Sequence, residues 1–485
     1  MGLIFFLFFR KRIFLFVFLP IFVTCYFFTP NKFKNLCILL WSYLFYCWGA
    51  LAIVGLLLIS SIADYLLSHC IYRATENRSR HIFLSMSLTI NLAALAYFKY
   101  ANFFIQELNS LLAFSNQGQI SWAEVALPIG ISFFTFQKIS YMVDVYRKVV
   151  TPAQSFTNYA LYVALFPQLI AGPIIRYHDI NKQIENRNHS IEDVFYGIYR
   201  FSRGLAKKVL IADTMGAVAN NIFALPSESL TLGYAWLGAL AYAYQIYFDF
   251  SGYSDMAIGL GRIMGFHFLE NFNMPYISQS ITEFWRRWHI SLSNWMREYL
   301  YIPLGGNRVS PARIYLNLWI VFLLSGLWHG ASWNFIAWGM FHGVFLTVDK
   351  IFWLKKSKSL PAVINTLAAF FLVLVSWVIF RSETLVEAGR YLYHMFSFSG
   401  ALQTQPLAPR AMIIDNRGIT ILLIATVLSF SPLFFDLSSI RTKLNPRIPK
   451  PVIHTVRFAG SFACVILSAL TLATTNFNPF IYFRF

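Results

Sequence analysis

The sequence predicts an all-α protein that crosses a membrane many times. Of its 485 residues, 57% are hydrophobic and only 12% are charged, and the mean hydropathy is +0.56. Soluble domains average about 25% charged residues, and a water-soluble fold of this composition would expose far too much apolar surface. The apolar residues fall in runs of about 20, the length that a helix needs to span a bilayer. Strands are not expected, because the runs are too long and lack two-residue alternation.

The apolar runs define the predicted membrane segments in order. Two of the runs are long enough for two helices with a turn, so the chain predicts about 11 to 13 segments. We expect one integral membrane domain over residues 1–485, with its core motifs at about 125–381 and its longest polar loop at 396–417. The first run lacks a small-residue cleavage site and is interpreted as a membrane span. The runs are 13–29, 35–67, 82–100, 125–146, 157–175, 195–223, 230–269, 315–346, 362–380, 418–438 and 455–474.

Two stretches interrupt the apolar runs. "FPQLIAGPIIRYHDI" (166–180) holds two prolines and a glycine inside an apolar run. It predicts a broken or re-entrant segment, which is tolerated only where protein or a water-filled cavity surrounds the backbone. "YIPLGGNR" (301–308) contains a proline and a glycine pair, which predict a tight turn.

The net charge of +18 is carried by short basic clusters between the apolar runs. This pattern is typical of cytoplasmic loops that obey the positive-inside rule, and it argues against a nucleic-acid partner. The five cysteines have neither paired nor metal-type spacing, so we expect small apolar core residues, no disulfide framework and no metal site. The basic clusters are 10–12, 73–80, 203–208, 355–358 and 441–450.

A tryptophan-rich stretch, "TEFWRRWHISLSNWMREYLY" (282–301), has helical periodicity. Its aromatic face includes His289, and its polar face includes Arg286 and Arg287. The pattern predicts a two-faced helix that starts near Thr282 and lies at the membrane–water interface. From the pattern alone, His289 is equally a core histidine or a functional one.

Two more histidines stand in the apolar tract "GLWHGASWNFIAWGMFHG", at positions 329 and 342. In an uninterrupted helix, thirteen steps of about 100° place His329 and His342 on roughly opposite faces. We therefore expect no direct pair unless the helix breaks at Gly330. Either residue alone fits a core histidine, although ionisable groups in membrane segments are functional candidates.

These stretches resemble the membrane-bound O-acyltransferase family. The likeness is carried by "FWRRWHISLSNWMREYLYIPLGGNR" and "GLWHGASWNFIAWGMFHG", and it is greatest to the bacterial branch that contains the alginate O-acetylase membrane subunit and the D-alanyl transferase of teichoic acids. It runs in order over most of the chain and is weakest before about residue 85 and between about 396 and 450. Further matching stretches are "LPIGISFFTFQKISYMVDVYR", "YVALFPQLIAGPIIR", "YFDFSGYSDMAIGLGRIMGF", "SWVIFR" and "PFIYFRF".

The resemblance implies tilted helices around a central tunnel, with the acyl donor entering from the cytoplasm and the acceptor from the far side. It implies that His329 is catalytic and that His289 is the second implicated histidine. Removing the proton of an acceptor hydroxyl suits a group that titrates near 6.5. We expect His329 to activate the hydroxyl or bind the thioester carbonyl, and His289 to orient the donor or stabilise the oxyanion. His342, Trp328 and Asn334 match the same motifs and are candidate substrate-binding residues.

Four charged residues leave alternatives open. Asp249 and Asp255 flank "FSGYS". They could tune a histidine or bind a sugar hydroxyl, but we favour the alternative that they cap or break a helix at Gly252. Arg286 and Arg287 are equally suited to coenzyme A phosphates and to lipid headgroups.

The resemblance implies an acetyltransferase of the bacterial cytoplasmic (inner) membrane, multi-pass and surrounded by lipid. Its donor would be acetyl-CoA, with no bound cofactor, and its acceptor an exported polysaccharide such as alginate. A periplasmic or extracellular acetyltransferase partner would complete the transfer. The alternatives are D-alanyl or other acyl transfer to a cell-wall polymer and a non-catalytic polysaccharide or lipid-linked sugar transporter, which needs no such histidine motifs.

Overall fold

The computed structural model describes residues 13–169, 172–397, 410–435, 449–474 and 480. Within these ranges the regular structure is helical and no strand occurs. Seven helices in this part of the chain are long and apolar enough to cross a membrane. The predicted fold class, an all-α polytopic membrane protein, is confirmed.

The helices follow the predicted runs but are often shorter than the runs. For example, run 125–146 becomes a 16-residue helix, and run 157–175 becomes helices of nine and four residues. In the described part of the chain seven helices are long and apolar enough to cross a membrane, and the expected total of about 11 to 13 segments stays a prediction. In chain order the helices are α1 Leu19–Phe28, α2 Lys34–Arg73, α3 Asn77–Phe114, α4 Ile131–Tyr146, α5 Phe156–Ala164, α6 Phe166–Leu169, α7 Tyr177–Glu185, α8 Ile191–Ala206, α9 Asp213–Phe223, α10 Leu232–Ile263, α11 Ile281–Arg287, α12 Ile290–Met296, α13 Pro311–His329, α14 Trp333–Val348, α15 Leu354–Lys356, α16 Ala362–Arg381, α17 Leu385–Phe396, α18 Arg410–Ile413, α19 Asn416–Phe430 and α20 Lys450–Thr474.

The chain packs as two compact units. The first extends to Gly197 and includes Ala257–Leu269, and the second comprises Ile198–Met256 and the chain from Glu270 onward. The single domain predicted over residues 1–485 stays a prediction, since two packing units can belong to one domain.

In the first unit, α2 doubles back on itself. Asn35 donates a hydrogen bond to Asn158, at 2.9 Å, and the ring of Tyr65 lies 5.7 Å from that of Phe156. A straight helix would separate residues 35 and 65 by about 45 Å, yet both contact the start of α5. Run 35–67 therefore folds into two arms, but the structure describes Lys34–Arg73 as one sharply bent helix, and the expected turn between two helices is not seen.

The first unit also buries an ion pair inside its apolar helices. Lys138 Nζ lies 3.7 Å from Asp64 Oδ2, and both side chains are fully buried. The carboxylate accepts further hydrogen bonds from Ser87, at 2.5 Å, and Asn91, at 3.0 Å. A buried charge pair is tolerated when its remaining polar atoms are hydrogen-bonded in this way.

In the second unit, α13 and α14 pack at close range through glycines. A Cβ atom on Gly326 would collide with the carbonyl oxygen of Phe335, and one on Gly339 would collide with that of Phe322. Small residues that let backbones approach are typical of helix pairs in membranes. The contact fixes the relative position of the two helices that carry His329 and His342.

Both predicted interruptions are confirmed. After α6 ends at Leu169, residues 172–176 are not helical and α7 begins at Tyr177. In the second interruption, Gly305 and Gly306 have φ of 105° and 54°, the left-handed region that glycine adopts without strain.

The cysteines and the predicted polar loop 396–417 differ from expectation or lie mostly outside the described residues. Cys25 and Cys70 are exposed, and the remaining three cysteines are half-exposed. The cysteines are therefore not core residues, because an apolar thiol can face lipid as readily as a protein interior. The predicted polar loop 396–417 lies mostly outside the described residues, and its described part contains α18.

Candidate active site

The tryptophan-rich stretch 282–301 is not one helix, contrary to the prediction. Ser280 caps α11 by accepting a hydrogen bond from the backbone N–H of Glu283, and α11 ends at Arg287. Trp288 is extended, His289 is left-handed at φ 45° and ψ 54°, and α12 begins at once. A left-handed backbone costs a non-glycine residue about 1–2 kcal/mol, and such strain is concentrated at functional sites. The break turns His289 inward, where it is fully buried.

Asn271 fixes the protonation pattern of His289. The Oδ1 atom of Asn271 accepts from the backbone N–H and the hydroxyl of Ser291, and it lies 3.0 Å from Nδ1 of His289. Because a backbone N–H only donates, the amide oxygen faces His289, and His289 Nδ1 carries a proton. Ser254 receives a hydrogen bond from the amide nitrogen of Asn271 at 3.1 Å, which holds the same orientation.

His289 lies outside the seven candidate spans, and burial lowers its pKa to about 3. The ring is therefore neutral at working pH, and the lone pair is on Nε2. A ring in this state accepts a proton at Nε2 and does not donate one there. The geometry thus favours a proton acceptor over the expected oxyanion donor.

The helix that carries His329 ends at that residue. Gly330 is extended, and a Cβ atom there would collide with the ring of Phe335. The chain then reverses direction and α14 begins at Trp333. The helix is therefore broken at Gly330. This was the condition under which His329 and His342 could approach each other.

The reversal brings three histidines and three tryptophans into one buried row. Neighbouring ring centroids lie 4.8–6.2 Å apart, at distances typical of aromatic contacts. We call this set the histidine–tryptophan row, and its order is His289, Trp328, His329, Trp338, His342 and Trp285. All six side chains are buried. His329 and His342 do not form a direct pair, since Trp338 contacts both, at 5.0 Å and 4.8 Å.

The hydrogen bond from Trp285 determines the tautomer of His342. The indole Nε1 lies 3.3 Å from His342 Nδ1, and an indole nitrogen only donates. His342 Nδ1 is therefore an acceptor, and the ring proton is on Nε2. Within the described residues Nε2 has no hydrogen-bond partner, and aromatic rings, including Trp338, surround the imidazole. His342 is thus held by Trp285 and packs against Trp338, which contacts His329, and its role in substrate binding stays a prediction.

We expect His342→Phe to lower kcat about tenfold with little change in KM, because the variant loses the bond that holds the row in place. Trp285→Phe removes the same bond, so the double variant is expected to be no slower than the worse single variant. His342→Gln, whose amide oxygen can accept from Trp285, is expected to recover part of the rate. The test is a double-mutant cycle in which kcat and KM are measured for the native chain, the two single variants and the double variant. If the two single effects on kcat multiplied in the double variant, the shared hydrogen bond would not explain them.

The two aspartates near Gly252 do not cap or break a helix, contrary to the favoured expectation. α10 runs without interruption from Leu232 to Ile263. Gly252 is required for packing, because a Cβ atom there would lie 2.8 Å from the carbonyl oxygen of Gly204. The preceding interpretation mistook a glycine used for close helix approach for a helix end.

Each aspartate instead forms ion pairs with basic residues of α8 and the π-helical segment Lys207–Ala212. Asp249 lies 2.7 Å from Lys208, and Asp255 lies 2.6 Å from Arg200 and 2.8 Å from Lys207. The carboxylates are therefore committed to ion pairs in this unit. A direct role in binding a sugar hydroxyl stays a prediction.

The remaining candidates lie at the edge of the row. Arg286 is exposed, whereas Arg287 pairs with Glu283 at 2.8 Å. Arg286 is thus the more accessible of the two for a phosphate. Asn334 is buried and donates its amide to the backbone carbonyl of Ser382, which anchors the start of α14. In the ranges given above, no three His, Cys, Asp or Glu side chains converge to hold a metal ion.

Sequence reasoning missed Asn271, Trp285 and Trp338 as members of the site. Trp285 and Trp338 stand four residues before His289 and His342, respectively, so helical spacing was an available signal for both. Asn271 lies 18 residues before His289, and its backbone oxygen accepts from Ile290. No local pattern indicates such a loop contact.

The chain matches known proteins over nearly its whole length. A family model described as "MBOAT, membrane-bound O-acyltransferase family" matches residues 83–381. The chain is 40% identical to a probable alginate O-acetylase of Azotobacter vinelandii, over 98% of this chain and 100% of the relative. It is 42% identical to a probable alginate O-acetylase of Pseudomonas putida, with the same coverage. A peptidoglycan O-acetyltransferase of Helicobacter pylori is 35% identical over 89% of this chain and 87% of the relative.

Proposed function

Since the chain belongs to the membrane-bound O-acyltransferase family, we propose that it moves acetyl groups from cytoplasmic acetyl-CoA to hydroxyl groups of an exported polysaccharide. The chain is a multi-pass membrane O-acyltransferase. Alginate is the acceptor that we favour, because relatives that match end to end are named alginate O-acetylases.

The buried histidine–tryptophan row is the observation that carries the chemistry. In the transfer, the acceptor oxygen attacks the thioester carbonyl carbon, and its proton passes to a neutral imidazole. The carbon–sulfur bond then breaks, and the thiolate of coenzyme A takes up that proton. A positioned general base of this kind is typically worth about 10²- to 10⁴-fold in rate.

We assign different tasks to the two histidines at one end of the row. His329 activates the acceptor hydroxyl, as the motif "GLWHGASWNF" predicts. His289 supports it as a second proton acceptor, because its Nδ1 proton is held by Asn271 and its lone pair is on Nε2. Trp328 contacts both rings and keeps them apart in a fixed order.

The polysaccharide acceptor implies a partner and a location. We propose the bacterial inner membrane, because the donor is cytoplasmic and the polymer is exported. A periplasmic or extracellular acetyltransferase would pass the acetyl group to the polymer. The basic clusters between the apolar runs support this location, because loops rich in lysine and arginine face the cytoplasm.

Peptidoglycan is the second candidate acceptor. It is favoured by the relative from Helicobacter pylori, which matches most of the chain. The donor and the histidine chemistry would be the same, because a sugar hydroxyl is acetylated in either case.

The donor and the acceptor are tested together with radioactive acetyl-CoA. We expect membranes that contain the native chain and its exported partner proteins to transfer label to alginate, and membranes with His329→Ala to transfer it about 10²- to 10⁴-fold more slowly. Peptidoglycan replaces alginate in a parallel reaction. Transfer only from a carrier-protein thioester would indicate D-alanyl-type chemistry, and absence of transfer with folded chain and partners would contradict the proposal.

A further inference from the structure

A cluster of basic side chains surrounds Tyr26 in the first unit. Lys34 Nζ lies 4.9 Å from the centre of the Tyr26 ring, and His189 Nε2 lies 2.6 Å from the Tyr26 hydroxyl. The Tyr26 hydroxyl donates to the carbonyl oxygen of Met264 at 2.7 Å, so His189 donates to the hydroxyl. Arg187 interacts with the same tyrosine, and its guanidinium lies 4.4 Å from the ring centre of Phe266. Three basic groups from two segments thus meet at one phenol.

None of these groups has a carboxylate within ion-pair distance among the described residues. Lys34 is only 8% exposed, and Nε and Nη1 of Arg187 are buried with no hydrogen-bond partner in the described ranges. By contrast, Arg176 and Arg262 in the same unit lie 2.9 Å and 2.8 Å from aspartates. The cluster therefore holds positive charge that no carboxylate of the described residues neutralises at ion-pair distance.

Electrostatics around the cluster agree with that description. Burial and then the charge of Arg187 lower the pKa of Lys34. Burial, followed by Lys34 and Arg187, lowers the pKa of His189. Mutual repulsion of this kind is relieved when an anion enters.

The cluster lies at the end of the first unit that carries its basic loops. Asn35, next to Lys34, donates to the carbonyl oxygen of Ile184 at the end of α7. At the start of α7, His178 contacts Asp144 at 2.8 Å, close to the C-terminal end of α4. The positive-inside rule assigns this end to the cytoplasm. The basic residues at this end include Arg73, Arg78, Arg80, Arg147, Lys148, Arg176 and Lys182.

We propose that Lys34 and Arg187 bind a phosphate group at the cytoplasmic end of the first unit, beside the Tyr26 hydroxyl that His189 holds in place. Lysine and arginine form charge-assisted hydrogen bonds with phosphate oxygens, and the buried aliphatic stem and aromatic rings hold them in place. Two sources carry this group: the headgroup of an anionic phospholipid and the nucleotide part of coenzyme A. The second source rests on the proposed function, whereas the first does not.

The test uses the full chain in nanodiscs and the double variant Lys34→Gln, Arg187→Gln. For a lipid phosphate, phosphatidylglycerol raises the Tm of the native chain above its value in phosphatidylcholine, and the variant loses that rise. If the phosphate belongs to coenzyme A, the Kd of coenzyme A, measured by calorimetry, is expected to be about tenfold higher for the double variant than for the native chain, because charge-assisted hydrogen bonds are lost. Pantetheine lacks the nucleotide phosphates, so its Kd stays unchanged.

Two controls separate the site from general charge effects. Lys182→Gln removes one exposed positive charge from the same end and is expected to change neither readout. Lys34→Arg keeps the charge and is expected to retain binding. The proposal would be overturned if the double variant had the native Tm in phosphatidylcholine and also kept both the rise of Tm in phosphatidylglycerol and the native Kd for coenzyme A. It would also be overturned if Lys182→Gln lost either property to the same extent as the double variant. Binding is measured without turnover. A chain that failed to transfer acetyl groups could therefore still show phosphate binding, and the two proposals are tested separately.

Discussion

Acetyl transfer is expected to fall about 10²- to 10⁴-fold when His329 is replaced by alanine, with the chain still folded. The side chain is buried between Trp328 and Trp338, whose rings lie 4.9 Å and 5.0 Å from its own. The measurement is kcat with acetyl-CoA and acceptor, at matched amounts of folded protein.

The matched control is His394→Ala. This histidine is in the same unit, half-exposed and hydrogen-bonded to Ser227 at 2.8 Å, and it is not part of the row. It is expected to keep nearly full activity. Native activity in His329→Ala, with native Tm and membrane insertion, would show that His329 is not catalytic. If His289→Ala alone abolished transfer, the principal base would be His289.

The order of the row could not be read from the sequence. Periodicity placed His289 on the aromatic face of a helix, but α11 ends at Arg287, two residues before His289. A left-handed residue is set by tertiary packing, here by Asn271 and by Phe250, whose ring lies 4.7 Å from the imidazole. The long motifs predicted which histidines belong to the site, whereas the contacts that fix their tautomers come from residues distant in sequence.

The fold class was more accessible than the site. Composition and run length determine whether a chain is helical and membrane-embedded, because the bilayer imposes one length on every helix that crosses it. The number of membrane segments stays a prediction, because an apolar run such as 157–175 can break into pieces that pack inside the protein. The doubling back of α2 was predicted from length alone, since 33 apolar residues exceed one crossing.

The aspartates show a different limit of sequence reasoning. A glycine between two acidic residues predicted a helix end, yet α10 continues through Gly252, which packs against Gly204 on α8. The π-helical segment that follows α8 lets the adjacent residues Lys207 and Lys208 reach different carboxylates. π-helical segments are often found at functional sites, and here one organises the ion pairs that brace α10.

Lys208→Met is therefore expected to destabilise the protein by about 3–5 kcal/mol, the cost of removing one partner from a buried ion pair. Lys208 contacts Asp249 at 2.7 Å and Asp213 at 2.8 Å, and the Asp249 side chain is 1% exposed. The variant leaves that carboxylate in the interior without its ammonium partner. Thermal unfolding in nanodiscs measures the effect as a large fall in Tm.

The adjacent residue supplies the matched control. Lys207→Met removes an equal charge, but Asp255 keeps Arg200 at 2.6 Å, so the loss of stability is expected to be smaller. In the double variant Lys208→Met, Asp249→Leu the most deeply buried carboxylate is gone, and much of the lost stability should return, because apolar replacement of a buried ion pair is often neutral and the remaining partner, Asp213, is 20% exposed. Equal Tm values for Lys207→Met and Lys208→Met would contradict this account. If the double variant were stable but inactive, Asp249 would have a role in transfer beyond its ion pair.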